Sequence, residues 1–317
     1  MRKILSVFLC AALALTFCAC SGPRDVSNMD YVVDFCSKQY EGAFSGTINE
    51  GIPEGNGTFI CSSSAASLEY TGTWINGKIQ NGEISVSDYA VLFNDGTNRE
   101  GVYVGSVVGG AVNGYGSFSA VNDEGISYSY NGEWKNGVYD GYGTVKFDSE
   151  DYYELKGTFV NGDFRPTPLE YFETEGTLPS RPFTITDSAK DFLANNGNIF
   201  LSHRALGAVA VFEENFRYEA FAKNSSKYGD KLIQVDGLYV AQIYENNYWG
   251  SDRTMCIAQD ENYNVYYLFL IGTADDVYEG DYISTTALPL SYFSYPNLAG
   301  TDILAIACAA VNITKST

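Results

Sequence analysis

Between residues 40 and 165 apolar and polar side chains alternate in short runs broken by turn signals, the period expected of strands with one buried face. The clearest stretch is Tyr130-Asn131-Gly132-Glu133-Trp134-Lys135-Asn136-Gly137-Val138-Tyr139-Asp140-Gly141-Tyr142-Gly143-Thr144-Val145. Alternation places Tyr130 and Trp134 on one face and Asn131 and Glu133 on the other. Asn136-Gly137 and Asn76-Gly77 predict hairpin turns, because a type I′ turn needs positive φ at both central residues. The pattern changes at 165–182, where four prolines interrupt it, and it resumes further on with a different period. A capped helix is predicted from Thr186 to the Asn195-Asn196-Gly197 stop, and a second over 213–225 with Phe216, Ala220 and Phe221 on one face. Strands follow over 232–244, 254–259, 265–271, 282–288 and 303–313. Two turns separate them, at Asp260-Glu261-Asn262-Tyr263-Asn264 and Tyr278-Glu279-Gly280-Asp281.

Glycines give the first region a repeat. From Gly46, glycines stand five, nine and eleven residues later at Gly51, Gly55 and Gly57, and the same offsets recur from Gly105 and from Gly132. Two weaker copies open at Gly72 with Gly77 and at Gly157 with Gly162, so that successive copies begin 26, 33, 27 and 25 residues apart. The Gly72 copy has Asn81 and Glu83 at the later glycine positions, and the last copy meets Pro166 and Pro168 there. Proline suits an ending, since it cannot continue a ladder. This code resembles the MORN (membrane occupation and recognition nexus) repeat over residues 40–165. The resemblance implies β-hairpins stacked into an elongated single-layer sheet, used for scaffolding and associated with lipid headgroups. Trp74, Tyr103, Tyr130 and Trp134 read first as the stacking core of such an array and second as the lining of a ligand groove.

The region after the prolines, over residues 210–315, resembles the OB-like (tRNA_anti-like) domains of bacterial lipoproteins. The matching features are a helix carrying Asn215 and Ala220, Lys227-Tyr228-Gly229-Asp230-Lys231, a first strand with Val235-Asp236-Gly237, Glu279-Gly280-Asp281, and Asn297-Leu298-Ala299-Gly300 before the last strand. The fold class expected is therefore mainly β: a MORN-like repeat sheet, then a five-stranded OB-like barrel preceded by one or two short helices. OB barrels bind across their second and third strands and adjacent loops, which here offer Tyr244, Tyr248, Trp249, Arg253, Tyr263, Tyr266 and Tyr267. Of these, Tyr244, Tyr248, Trp249 and Tyr266 are the candidate ligand-binding residues. The alternative is that the tyrosines only fill the barrel and cover its mouth.

The start of the chain has its own pattern. Arg2 and Lys3 precede an uncharged run over 4–19 that is shorter than the roughly 20 residues of a membrane span, and it reads as a signal peptide. Phe17-Cys18-Ala19-Cys20 resembles a bacterial lipobox, with Phe17 where that motif usually has Leu. The resemblance implies lipidation of Cys20 and attachment to the outer face of the bacterial cytoplasmic membrane, made durable by two acyl chains. The domain plan is then signal peptide 1–19, tether 20–39, repeats 40–165, linker and short helix 166–210, and barrel with leading helix 211–317.

Charge narrows the partners. The formal net charge is −20, and loss of Arg2 and Lys3 makes it −22, which leaves little to neutralise a phosphate backbone, so nucleic acid is excluded. The partners expected are the membrane through the lipid, and an envelope protein, peptide or glycan. Cys36, Cys61, Cys256 and Cys308 are even in number, open to pairing as 36–61 and 256–308 or to service as small apolar residues. No Cys-x-x-Cys occurs and His203 is the sole histidine, so neither a metal nor a cofactor is expected. No catalytic or phosphate-binding motif appears, and no enzyme is predicted. Two functions stand: a scaffold or protein-interaction module, and an envelope binding protein that captures a glycan or peptide on the barrel's aromatic face.

Overall fold

A computed structural model of the chain describes residues 22–63, 66–93, 96–149, 154–178, 181–202, 211–248, 251–296 and 300–316. The signal-like run, Cys20 and His203 lie outside the described residues. Among those described, eleven strands pair antiparallel in chain order: β1 (Arg24–Phe35), β2 (Lys38–Asn49), β3 (Ile52–Ser62), β4 (Ser67–Ile75), β5 (Lys78–Leu92), β6 (Asn98–Val108), β7 (Ala111–Val121), β8 (Ser127–Lys135), β9 (Val138–Phe147), β10 (Glu154–Val160) and β11 (Asp163–Phe164). The sheet thus begins at Arg24, and much of the segment expected as a tether is its first hairpin. Cys36 and Ser37 turn that hairpin with positive φ, a turn that carries neither Gly nor Asn and so gave no signal in the sequence.

The glycine code has a steric cause. Gly46, Gly57, Gly72 and Gly82 face one another across β2 to β5, and Gly105, Gly116, Gly132, Gly143 and Gly157 do so across β6 to β10. An aromatic ring from two residues before the first glycine of a hairpin lies folded across these rows. A Cβ on Gly143 would sit 2.5 Å from the Tyr130 ring, and one on Gly116 2.6 Å from Tyr103. The ring is pinned by its hydroxyl: Tyr70 donates to Thr73 O at 2.8 Å, Tyr103 to Ser106 O at 3.0 Å and Tyr130 to Glu133 O at 2.7 Å. The Gly72 copy departs from the code because it is one residue shorter between turn and row, and Gly82 takes the place facing Gly72.

The sheet coils until residues three strands apart touch, so a single layer encloses its own core. Tyr31 of β1 meets Trp74 of β4 at 6.2 Å, and Tyr89 of β5 meets Trp134 of β8 at 6.1 Å. Trp74 and Trp134 donate Nε1–H to Gly57 O and Gly116 O at 3.2 and 3.1 Å, while the Tyr31 and Tyr89 hydroxyls both reach a turn carbonyl, of Gly77 and Gly137, at 3.0 Å. The packing unit is therefore a pair of hairpins, four strands long. Along one edge the turns link to each other: Gly77, Gly110, Gly137 and Gly162 N–H donate to Pro53, Gln80, Val112 and Tyr139 O at 2.8–3.0 Å.

The helix expected from Thr186 is α2 (Asp187–Asn196), capped by Thr186, and the residues expected as linker around it form two more helices, α1 (Pro168–Glu175) and α3 (Ile199–Ser202). Proline opens α1 at its first turn, where no donor is missed, and Thr167 with Glu170 closes a capping box. The helix expected over 213–225 is shorter, α4 (Tyr218–Lys223) with a 3-10 turn Ser225–Lys227, because the backbone of 211–213 instead bridges to Leu232. Five strands follow: β12 (Ile233–Tyr248), β13 (Ser251–Gln259), β14 (Val265–Ile271), β15 (Tyr282–Pro296) and β16 (Asp302–Lys315). They pair in a closed ring in the order β12-β13-β14-β16-β15, with β14 and β16 parallel. Irregularities after Val235 and Val240 let β12 bend, pairing with β15 in its first half and β13 in its second.

Candidate functional site

The outward face of β13 and β14, where the OB resemblance puts a ligand, is occupied by the chain itself. Tyr267 and Phe269 point to it and are buried beneath α1, α2, α3 and Phe183; Phe183 packs at 5.5 Å from Phe269 and 5.7 Å from Phe293. Tyr266 points the other way, into the barrel, where its ring meets Tyr218 edge-on at 5.4 Å. Buried in that core, it presents no surface on the outward face of β13 and β14. Tyr244 is half exposed on β12. The side chain of Tyr248 and the whole of Trp249 lie outside the described residues. The expected four-residue aromatic patch is thus not assembled among the described residues.

The helix α1 forms a junction instead. On one side the Glu170 carboxylate accepts from Thr158 N at 3.2 Å and Thr158 Oγ1 at 3.3 Å on β10, and Thr174 Oγ1 donates to Lys156 O at 3.2 Å. On the other, Glu175, only 2% exposed, takes Arg181 at 3.3 Å and also Arg253 of β13. Tyr171 and Phe172 of the same helix enter the core over the barrel. Burial pushes the Tyr171 hydroxyl well above its usual range, and the Glu175 charge adds to it. One two-turn helix therefore carries bonds to both modules.

At the barrel's end, Tyr263 of the β13–β14 turn, Gln259, Tyr295 of β15, and Asp302, Ile303 and Leu304 of β16 line a cleft of about 540 Å³. Sequence reasoning placed Tyr263 in a general aromatic patch and missed Tyr295 and Asp302. The available signal was a tyrosine in a turn position that glycine or asparagine normally fills.

On the repeat sheet, Trp74, Tyr103, Tyr130 and Trp134 are all buried, which settles their role as the core. The outer face exposes Tyr115 and Tyr142, each between the two glycines of a Gly-x-Gly. A charged knot closes the β1–β2 turn onto β5: Lys38 Nζ lies 2.8 Å from Asp88 Oδ2 and 2.9 Å from Glu100 Oε1, and the Tyr40 hydroxyl donates to Asp88 Oδ1 at 2.8 Å. A register shift between Val86 and Tyr89 aims Asp88 there. Burial alone would push the Asp88 carboxyl up, but the hydrogen bonds from Lys38 and Tyr40 outweigh it and hold it below its ordinary 3.8. A depressed carboxylate stabilises the fold above its unfolded value and loses that contribution as pH falls through its folded one. The melting-temperature gap between the parent chain and Asp88→Asn is accordingly expected to be open at about pH 6 and to close as pH falls below the ordinary carboxylate range.

Cys36, Cys61, Cys256 and Cys308 are all free thiols, and burial raises the Cys256 thiol to about 12. Among the described residues no group of three His, Cys, Asp or Glu side chains could hold a metal ion, and no helix is long and apolar enough to cross a membrane. No curated protein matches the chain. A family model described as MORN repeat matches residues 44–65, 70–80 and 130–152, two strong glycine copies and the shortened one between them, so the hairpin sheet contains MORN repeats at those stretches.

Proposed function

We propose that this chain is an exported, lipid-anchored bacterial envelope protein acting as a non-catalytic scaffold or protein-interaction module. The observation that carries the reading is the α1 junction: hydrogen bonds to β10 on one side and a buried ion cluster with β13 on the other couple the repeat sheet to the barrel, as a scaffold requires and a loose tether does not. Supporting the anchor are Arg2 and Lys3, the uncharged run over 4–19 and Cys20 after Ala19. The closed ring of five strands, with the last two exchanged in order, supports an OB-fold-like barrel. The chain's net negative charge favours basic protein surfaces over anionic lipid or nucleic acid, and the exposed Tyr115 and Tyr142 of the repeat sheet are amphipathic anchors for such a contact.

The anchor has a direct test in a bacterial host fed labelled palmitate. The full chain is expected to take up label and sediment with membranes, whereas Cys20→Ser stays unlabelled and is released by osmotic shock. Equal membrane attachment of both would defeat the lipoprotein reading. Capture of a ligand across the barrel's broad aromatic face is disfavoured by the helices that cover β14.

A further inference from the structure

We propose that the cleft between Tyr263, Tyr295 and Asp302 is a binding site for a neutral sugar ring, so that the scaffold holds an uncharged glycan at the barrel's end.

Tyr263 is the first observation. It has φ of +61°, a left-handed backbone that costs a bulky residue free energy, and its side chain is 81% exposed, so no core contact repays that cost. Asn262 and Asn264 on either side are the residue type that tolerates this conformation, yet the tyrosine occupies it. The turn is fixed from Asp260, whose Oδ1 accepts from Asn262 N at 2.8 Å and Asn264 N at 3.0 Å, and whose Oδ2 accepts from Asn264 Nδ2 at 2.9 Å. The ring is thus held out over the cleft by a built turn, at the expense of local stability. Strain kept by its surroundings points to a use.

The cleft's chemistry names the ligand class. Tyr295 offers a second ring, itself seated edge-on against Tyr267 at 4.9 Å, and Leu304 offers exposed apolar surface. Gln259 supplies an amide and Asp302 a carboxylate, acceptors and donors for hydroxyl groups. A pyranose has this duality, with C–H faces that lie on tyrosine rings and hydroxyls around its rim. The cleft is shallow and open, a shape that takes one ring lying flat on it. Among the described residues no Lys or Arg lines it, so an anionic ligand meets the carboxylate of Asp302 there. An extended peptide finds little strand edge to pair with, because β16 is bonded to β15 throughout and to β14 from Ala305 on, which leaves open only the three residues Asp302 to Leu304. This goes beyond the scaffold reading and does not rest on it: the palmitate test can fail with the cleft intact.

The test is saturation-transfer NMR and calorimetry on the whole soluble chain carrying Cys20→Ser. The probes are cellotriose, N-acetylchitotriose and mannotriose, beside trigalacturonate and the peptide Gly-Tyr-Gly. At least one neutral trisaccharide is expected to bind. Tyr263→Gly and Tyr263→Asn should each weaken it about tenfold or more while raising the melting temperature, since both relieve the left-handed turn, and Asp302→Asn should weaken it in a chain that melts normally. A tyrosine with only a structural role would not give lost binding together with a gain in stability. The proposal is overturned if none of the three sugars binds, if binding survives both Tyr263 variants, or if trigalacturonate or the peptide binds as well as the best sugar.

Discussion

Trp134→Ala is expected to cost about 3–5 kcal/mol and to melt the repeat sheet well below the parent. Trp134 is buried and lies within 6.1 Å of Tyr89, Tyr103, Phe118, Tyr130 and Tyr139 by ring centroid. It is the hub of the four strands β5 to β8, with Tyr139 of β9 packed beside it. Truncation opens a cavity among these rings and leaves Gly116 O without its indole donor. Tyr115→Ala, one residue from the same glycine row but on the outer face, is the contrast, with an expected change within about 0.5 kcal/mol. Chemical denaturation followed by tryptophan and tyrosine emission separates the two. Equal effects at both sites would mean that the coiled sheet does not enclose a core.

The second large effect is expected at the junction. Glu175→Gln removes a carboxylate that is almost fully buried against Arg181 and Arg253, and breaking a buried ion pair from one side costs about 3–5 kcal/mol. The loss falls on the contact between α1 and the barrel rather than on the repeat sheet, whose bonds to Glu170 and Thr174 are untouched. Calorimetry is therefore expected to resolve two transitions in this variant, with the barrel's lowered and the sheet's near the parent value.

How much of this could be read from the sequence depended on how local the cause was. The glycine code was legible because a ring folded onto backbone forbids any Cβ at Gly116 or Gly143, a constraint expressed at fixed spacing. Asn76-Gly77 and Asn136-Gly137 were legible for the same reason, and both have the positive φ their turns require. The Gly72 copy looked degenerate only because a one-residue deletion moved its glycine to Gly82. The pairing of hairpins was hidden, since it arises from coiling over four strands, although Trp74 and Trp134 stand 60 residues apart. Helix α1 was lost to its prolines, yet Thr167, Pro168 and Glu170 formed a readable start signal. The covering of β14 was hidden for a physical reason. Six of the seven residues of β14 are buried, on both sides of the strand, and a run apolar on both faces does not say which face is covered by helices and which is the barrel interior.

The central claim is that α1 holds the repeat sheet and the barrel as one rigid unit. The most direct measurement is the distance distribution between spin labels at Glu124→Cys in the sheet and Glu261→Cys in the barrel, in a chain with Cys20 and Cys36 changed to serine. A single narrow distance that broadens in Glu175→Gln is the result predicted. A broad distribution in the parent, unchanged by Glu175→Gln, would contradict it and return the two modules to a flexible tether.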